Sequence, residues 1–296
     1  MTMAPSSLVL LRTLCFFDAI GYPPCLPELF ASADEGTLEI PQSTPPSSDA
    51  YVSERGRVAF TGRRPLFLEH ERRERLFARK IRRARRVAAW LVRLGGVRFV
   101  AICNTTALAH ADEQGDLDFF IITKTGTIWQ TRALAALPCK LLGLRPDTHA
   151  TVDSVCLSFF IDDCSLDLQS LALSGDDVYL RYWFLSLLPL YDDGIGGQLW
   201  DANAWLRKRH PWAIRWVTHP EYRVRRPLFR VPSLGVLEQL AHRLQVAVLG
   251  ENIREQMNKN THVVVNDHVL KFHVQDGREA VRRLYEERCA AYGISS

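Results

Sequence analysis

Apolar residues recur along this chain with two different periods, one typical of helices and the other typical of strands. Helical spacing predicts helices at residues 8–19, 26–31, 70–94, 127–142, 176–190, 198–208, 234–256 and 277–291. Apolar or alternating runs bounded by turn residues predict strands at 99–103, 116–123 and 151–161, and hairpins at 51–64 and 262–272. Helices and strands are interspersed, and we predict an α+β fold.

Changes in composition along the chain predict three domains. Residues 1–70 combine two short helices with a hairpin around Arg55-Gly56, which suggests a winged-helix-like domain interrupted by the Pro- and Ser-rich insertion PQSTPPSSDA. A basic helix then leads into a core at residues 71–165, and residues 166–296 are predicted to form a mainly helical domain. Winged helices bind nucleic acid or other proteins, and Glu28 and Asp34 beside the second helix argue against base reading.

Composition is typical of a water-soluble protein rather than a membrane protein. Although 47% of the 296 residues are hydrophobic, no uninterrupted apolar run approaches the ~20 residues of a membrane helix. Arg12 interrupts the apolar N-terminus, which lacks a basic leader, so we expect no signal peptide and a cytoplasmic location. The 7 cysteines are scattered without a Cys-x-x-Cys pair, which favours reduced thiols over a zinc site or a disulfide framework.

The segment that carries recognisable chemistry is Val97 to Lys124, where a strand, a small-residue turn and a second strand follow one another. Asp116 and Asp118 enter the second strand at alternate positions, so their side chains project to the same side. Such carboxylates suit Mg²⁺ or Mn²⁺, and paired metals stabilise the attacking and leaving oxygens of a phosphoryl transfer. The alternative is that this Asp-x-Asp pair is only the solvated mouth of a strand.

The turn before these acids contains three small polar residues, Asn104, Thr105 and Thr106. Thr105 or Thr106 can cap a short helix opening at Ala107, and the free backbone N–H groups at a helix start bind anions. We therefore predict that Asn104, Thr105 and Thr106 contact the phosphates of a nucleotide.

These residues resemble the nucleotidyltransferase superfamily of the DNA polymerase beta type, whose motif is a Gly-Ser turn followed about ten residues later by an Asp-x-Asp strand. Asn104 stands where the family has Gly, and Thr105 stands where it has Ser. Asn enters the left-handed backbone region more readily than other non-glycine residues, and Thr keeps the hydroxyl. The whole chain is also similar to a bacterial group of nucleotidyltransferase-domain proteins through LRTLCFFDAIGYPP, FTGR, ICNTTALAHADEQGDLDFFIIT, YWFLSLLPLYD and LKFH.

The resemblance implies a nucleotidyltransferase core in which helices flank a mixed sheet. It also implies metal-dependent transfer of a nucleoside monophosphate from an NTP to a hydroxyl, with release of pyrophosphate. The acceptor can be a small molecule, an RNA end or a protein.

A third carboxylate from a neighbouring strand is part of what the resemblance implies. Asp153, near the start of TVDSVCLSFFI, is the candidate that would complete the metal site with Asp116 and Asp118. Asp162 and Asp163 at the other end are rivals, because a strand of this length spans roughly 30 Å and only one end can approach the site. A strand-opening acid without any ligand role is an equally open interpretation of Asp153.

Basic residues supply further candidates for phosphate contact. Lys124 follows the second strand and is predicted to approach the triphosphate, although it can equally be a solvated surface charge. In the helix HERRERLFARKIRRARRVAAWLVRL, apolar residues recur on one side and cations cover the rest. These cations can bind the phosphate backbone of a nucleic acid, or they can form only a solvated helix face. They include Arg82, Arg83, Arg85 and Arg86.

Two further functions fit the same residues. One is a catalytically silent nucleic-acid-binding or regulatory protein on a degenerate transferase scaffold, which would use the basic helix. The other is a toxin-like or antitoxin-like transferase that acts on a partner protein or on transfer RNA. Metal-dependent activity that is lost with Asp116 would distinguish the enzyme from the silent scaffold.

Overall fold

A computed structural model describes residues 7–35, 50–141 and 152–294 of the chain. The helices in these ranges are α1 (Ser7–Ala19), α2 (Leu26–Ala31), α3 (Pro65–Leu91), α4 (Asn104–Ala107), α5 (Ile128–Leu141), α6 (Val178–Leu185), α7 (Ile195–Ala202), α8 (Ala204–Arg209), α9 (Gly235–Ala247), α10 (Glu251–Gln256) and α11 (Arg278–Ala291). The strands are β1 (Tyr51–Glu54), β2 (Arg57–Phe60), β3 (Val97–Ile102), β4 (Leu117–Thr123), β5 (Val155–Asp162), β6 (Leu188–Asp192), β7 (Val263–Val265) and β8 (Val269–Phe272). Apart from its last residue, the predicted Pro- and Ser-rich insertion lies outside the described residues.

Six of these strands form one mixed sheet in the order β6-β3-β4-β5-β8-β7. The pair β4–β5 is parallel, and the other neighbours are antiparallel. Leu117 pairs with Val155 and Thr123 with Asp162, so the start of β5 lies beside the start of β4. With helices on both faces, the predicted α+β class and its mixed sheet are confirmed.

Alternation along the central strands explains why both faces of the sheet are covered. Phe119 and Ile121 point to the face packed by α3 and α5. Phe120 and Ile122 point to the opposite face, which α6 and α7 cover. Asp118 has the same parity as Phe120 and Ile122, so its side chain is directed to the α6 face.

The predicted basic helix is α3, which is 27 residues long and packs across β3 and β6. Its apolar stripe is buried: Ile81, Ala84, Ala88 and Leu91 face the sheet. The cations are divided by environment, since Arg82, Arg85 and Arg86 are exposed, Arg83 is half-buried and Lys80 is buried. An amphipathic helix of this kind is held by its apolar face and leaves its basic face to solvent.

The predicted helix at residues 176–190 is shorter than expected. Helix α6 ends at Leu185, and the next apolar run is strand β6. Pro189 disfavours a helical conformation at Leu188 and cannot donate a ladder hydrogen bond. At the edge of a sheet this missing donor is tolerated, and β6 is an edge strand.

The N-terminal segment packs against the other end of the chain. Strands β1 and β2 form the predicted hairpin around Arg55 and Gly56, and α1 contacts β2 and α11. Strands β6, β7 and β8 follow residue 165, so the predicted domain boundary there divides the strands of one sheet. The winged-helix identity of the first segment stays a prediction. Within the described ranges, no helix has the length and apolar composition needed to cross a membrane.

Candidate active site

A cavity of about 900 Å³ opens at the edge of the sheet where β4 and β5 begin. It is bounded by that edge, by α6 and by the segment that runs from Lys271 to Val281. Its polar lining residues are Asn104, Asp116, Asp118, Cys156, Ser158, Tyr179, Lys271, His273, Gln275, Asp276 and Arg278. The structure therefore brings three of the predicted site residues, Asn104, Asp116 and Asp118, into one wall.

Asp116 and Asp118 are partly buried and, among the described residues, neither forms an ion pair. Burial and then the charge of Asp118 raise the pKa of Asp116, and a hydrogen bond from Ser154 and the charge of Lys80 offset only part of this rise. Burial also raises the pKa of Asp118, against hydrogen bonds to it from Asn104 and Cys156. Both carboxylates therefore lie in an environment that disfavours their negative charge.

Asn104 holds Asp118 through its side-chain amide. Its backbone has a φ of 57°, the left-handed conformation expected where the resembled family has glycine. Its Nδ2 donates to Asp118 Oδ2 at 2.8 Å, and its Oδ1 accepts from the Tyr179 hydroxyl at 3.0 Å. The Asn104 side chain thus ties the turn to both β4 and α6.

The two threonines of the turn have different positions. Thr106 is buried, and its hydroxyl donates to the backbone oxygen of Asp116 at 3.3 Å, which supports the carboxylate-bearing loop. Thr105 is exposed and lines a second, more apolar cavity of about 260 Å³. Asn104, Tyr179 and Trp183 line both cavities, so the two spaces adjoin.

Asp153 does not line the carboxylate cavity. It precedes β5 with a φ of 57° and is buried. Lys80 Nζ lies 2.7 Å from its Oδ1, and Arg79 Nε lies 3.1 Å from its Oδ2, so both carboxylate oxygens are engaged. Lys80 also donates to the backbone oxygen of Gly115, next to Asp116. Asp153 thus acts on the site through Lys80, by fixing the loop that leads to the two acids.

The wall contributed by β5 carries a thiol and a hydroxyl. Cys156 pairs in register with Asp118, and Cys156 Sγ lies 3.2 Å from Ser158 Oγ. Ser158 Oγ in turn lies 3.1 Å from His273 Nε2. Burial and the charge of Asp118 raise the pKa of Cys156 to about 12, and burial lowers the pKa of His273 to about 3. These three side chains are therefore neutral near pH 7.

The remaining predicted acids and Lys124 lie at the other end of the strands. Asp162 is buried beside His268, with Oδ2 to Nδ1 at 2.7 Å, and Asp163 accepts hydrogen bonds from Thr125. Lys124 is exposed, and a strand of this length separates it from Asp116 by about 26 Å at about 3.3 Å per residue. The structure does not bring Lys124, Asp162 or Asp163 to the carboxylate cavity.

The opposite wall of the cavity is a buried ion-pair network that sequence reasoning missed. Arg278 Nη1 lies 2.6 Å from Asp177 Oδ2, and Arg278 Nε lies 2.9 Å from Asp276 Oδ2. Lys271 Nζ lies 2.9 Å from the same Asp276 oxygen. Burial alone would raise the pKa of Asp276, but Arg278 and Lys271 outweigh it and hold that pKa well below its ordinary value. Lys271 is buried in this wall and His273 is half-buried there, although no local pattern in the sequence places either residue beside Asp116 and Asp118.

Comparisons with family models, with curated proteins and with solved structures found no match for this chain. The resemblance to nucleotidyltransferases therefore rests on the residues that carry it. The geometry adds a cavity in which one wall holds two carboxylates without an ion-pair partner among the described residues, while the other wall holds a network of ion pairs.

Proposed function

We propose that this protein transfers a nucleoside monophosphate from an NTP to a hydroxyl of an acceptor and releases pyrophosphate, with Mg²⁺ or Mn²⁺ held by Asp116 and Asp118. The observation that supports this most is the uncompensated charge of the pair. Two partly buried carboxylates face one cavity, and no cation among the described residues pairs with them. A bound divalent cation would offset the repulsion between the negative charges of Asp116 and Asp118.

The donor set fits Mg²⁺ brought in with a nucleotide. No group of three or more His, Cys, Asp and Glu side chains in the described part of the chain is arranged to hold a metal ion. Mg²⁺ is commonly bound through one or two carboxylates, while substrate phosphates and water complete its shell. Bound here, it would neutralise charge on the phosphate oxygens during transfer.

The reaction requires positioning rather than a protein nucleophile. The acceptor oxygen forms a bond to the α-phosphorus, the bond to pyrophosphate breaks, and the hydroxyl proton passes to a carboxylate or to water. Asn104 and Tyr179 hold Asp118, while Thr106 and the Lys80–Asp153 pair hold the loop of Asp116.

Two adjoining cavities give room for two substrates. The carboxylate cavity of about 900 Å³ would take the triphosphate, and the apolar one of about 260 Å³ lies directly beside it. Asn104 lies in the wall of both cavities, so Asn104 and nearby backbone amides are the proposed phosphate contacts, whereas Thr105 lines the smaller cavity alone.

The test is label transfer from each α-labelled NTP, with Mg²⁺ or Mn²⁺, to pools of RNA, proteins and metabolites. We expect the wild type and the surface control Asp201→Asn to transfer label and release pyrophosphate. We expect Asp116→Asn/Asp118→Asn to lose both activities while keeping its thermal midpoint. Metal-dependent NTP binding, measured by equilibrium dialysis, would reveal the site even if the pools lack the acceptor. Absence of both binding and transfer in the wild type would refute the proposal.

One observation favours a second candidate, the catalytically silent scaffold. The resembled family implies a third carboxylate on the neighbouring strand, but the β5 residues that line the cavity are Cys156, Ser158 and Phe159. A silent scaffold would bind its ligand equally well with and without metal, and equally well after Asp116→Asn/Asp118→Asn. The same dialysis experiment therefore separates the two candidates.

A further inference from the structure

A second concave surface lies between α3 and the segment at residues 219–225. This groove has a volume of about 710 Å³. Its lining contains five arginines: Arg82, Arg85 and Arg86 from α3, and Arg223 and Arg225 from the segment. The other lining residues are Ala89, Pro220 and Val224, so within the described part of the chain no acidic side chain lines the groove.

The segment is firmly attached, which gives the groove a defined shape. Val224 is buried, and its backbone N–H donates to the Leu190 oxygen of β6 at 2.7 Å. The Tyr222 ring packs edge-on against Phe77 of α3, with ring centroids 5.7 Å apart. Arg223 and Arg225 flank the anchored Val224 and are exposed.

The five groove arginines have no carboxylate partner among the described residues, in contrast to the first half of α3. There, Glu69 pairs with Arg72 and Arg73, and Glu71 pairs with Arg55. Charge is thus compensated at the beginning of α3 and left uncompensated at the groove. Five adjacent cations without counterions form a local positive potential that attracts a polyanion.

We propose that this groove binds the phosphodiester backbone of a single-stranded nucleic acid. All five cations are arginines, whose planar guanidinium groups match phosphate oxygens bidentately. Arg82, Arg85 and Arg86 are spaced so that they lie on one side of the helix, and together with Arg223 and Arg225 they can contact successive phosphates.

The concave shape of the groove favours a single-stranded nucleic acid over a membrane surface as its ligand. A planar bilayer cannot enter a groove between a helix and a loop, whereas a flexible strand can lie along it. Phe229, four residues beyond Arg225, is 87% exposed and offers a ring on which a base can stack. This inference is independent of the proposed transferase reaction.

The test is fluorescence anisotropy of labelled oligo(U) and oligo(dT), without NTP or divalent metal, over a series of salt concentrations. We expect both to bind, with an affinity that falls steeply with salt, by about 0.7 log units per log unit of salt for each phosphate contacted. Arg85→Ala/Arg86→Ala and Arg223→Ala/Arg225→Ala should each lose about tenfold or more in affinity at low salt. Each should also reduce the salt slope by about 1.4.

A charge-matched control comes from the same helix. Arg72→Ala/Arg75→Ala removes the same charge outside the groove and should bind as the wild type does. Asp116→Asn/Asp118→Asn should also bind the oligonucleotides as the wild type does. A failure of the proposed metal site can therefore be distinguished from a failure of the proposed groove. Equal losses in the control and groove variants, or binding of phosphatidylserine vesicles or poly-glutamate in place of the oligonucleotides, would overturn the proposal.

Discussion

The two walls of the carboxylate cavity treat charge in opposite ways. On the β4 wall, Asp116 and Asp118 lie together without an ion-pair partner among the described residues. On the opposite wall, Arg278 is shared by Asp177 and Asp276 at 2.6–2.9 Å. Paired buried charges hold a wall in place, whereas unpaired ones are available to a ligand and cost stability until it binds.

The largest expected effect comes from breaking the paired wall. Arg278→Met leaves Asp177 and Asp276 buried with fewer donors, and removing one partner of a buried ion pair commonly costs about 3–5 kcal/mol. We expect a loss of this size in the free energy of unfolding, measured by urea denaturation. Arg282→Met, one turn along α11, removes a largely exposed hydrogen bond and serves as the control, with a loss below about 1 kcal/mol. Equal losses in the two variants would show that the ion-pair network contributes no more to stability than an exposed hydrogen bond does.

A buried pair that is neutral completes the comparison. His70 and His110 lie with their Nδ1 atoms 3.0 Å apart, and burial lowers the pKa of each to about 4. The unfolded chain takes up protons near pH 6.5, before the folded protein does. Stability is therefore full above pH 6.5 and falls as the pH drops toward 4.

The pH effect is measurable as a shift in the urea midpoint. Between pH 7.5 and 5.5 we expect the free energy of unfolding to fall by about 1 kcal/mol for each of these two histidines. His210 and His273 titrate in the same direction, so His70→Leu/His110→Leu should remove only part of the loss. Replacing both partners by apolar groups avoids leaving an unpaired nitrogen. A pH dependence that is unchanged in the double variant would contradict this assignment.

Metal binding tests the unpaired wall directly. Mg²⁺ at ten times its Kd should stabilise the wild type by about 1.4 kcal/mol, because it binds only the folded site. Asp118→Asn should lose this shift, and without metal it should be at least as stable as the wild type, since one repelling charge is gone. Asp201→Asn should keep the shift. An equal effect of Mg²⁺ on all three proteins would indicate non-specific ion binding.

The sequence predicts well those features that depend on residues close together along the chain. The alternate spacing of Asp116 and Asp118 and the left-handed conformation of Asn104 depend on a few neighbouring residues, and the structure has both in the cavity wall. The extent of α6 was misjudged because a short apolar run such as Leu187–Leu190 fits a helix or a strand until its partner β3 is known.

The remaining features depend on contacts between distant segments. The sequence left the direction of β5 open, and the parallel pairing with β4 decides which of its ends adjoins Asp118. Alternation in the β5 stretch would have pointed to Cys156 and Ser158 once that direction was known. Likewise, nothing local indicates that Arg223 and Arg225 join the arginines of α3.

The β5 wall carries no charged side chain among its described residues, and adding a carboxylate there tests whether the charges of Asp116 and Asp118 serve to bind a cation. Cys156 pairs with Asp118 across the parallel strands, where a third carboxylate would complete a metal site. Cys156→Asp should bind Mn²⁺ up to about tenfold more tightly than the wild type, which is about 1.4 kcal/mol. Without metal it should be less stable, because a third carboxylate joins two that already repel each other.

The matched control for this variant is Cys164→Asp, which makes the same chemical change at an exposed cysteine outside the carboxylate cavity. Mn²⁺ binding is followed by titration calorimetry, and stability by thermal unfolding with and without the metal. Tighter binding in Cys156→Asp alone would show that Asp116 and Asp118 face a site one ligand short of a full carboxylate set. If none of the three proteins binds Mn²⁺, the charge of the β4 wall is not directed at a cation, and the silent scaffold becomes the better account.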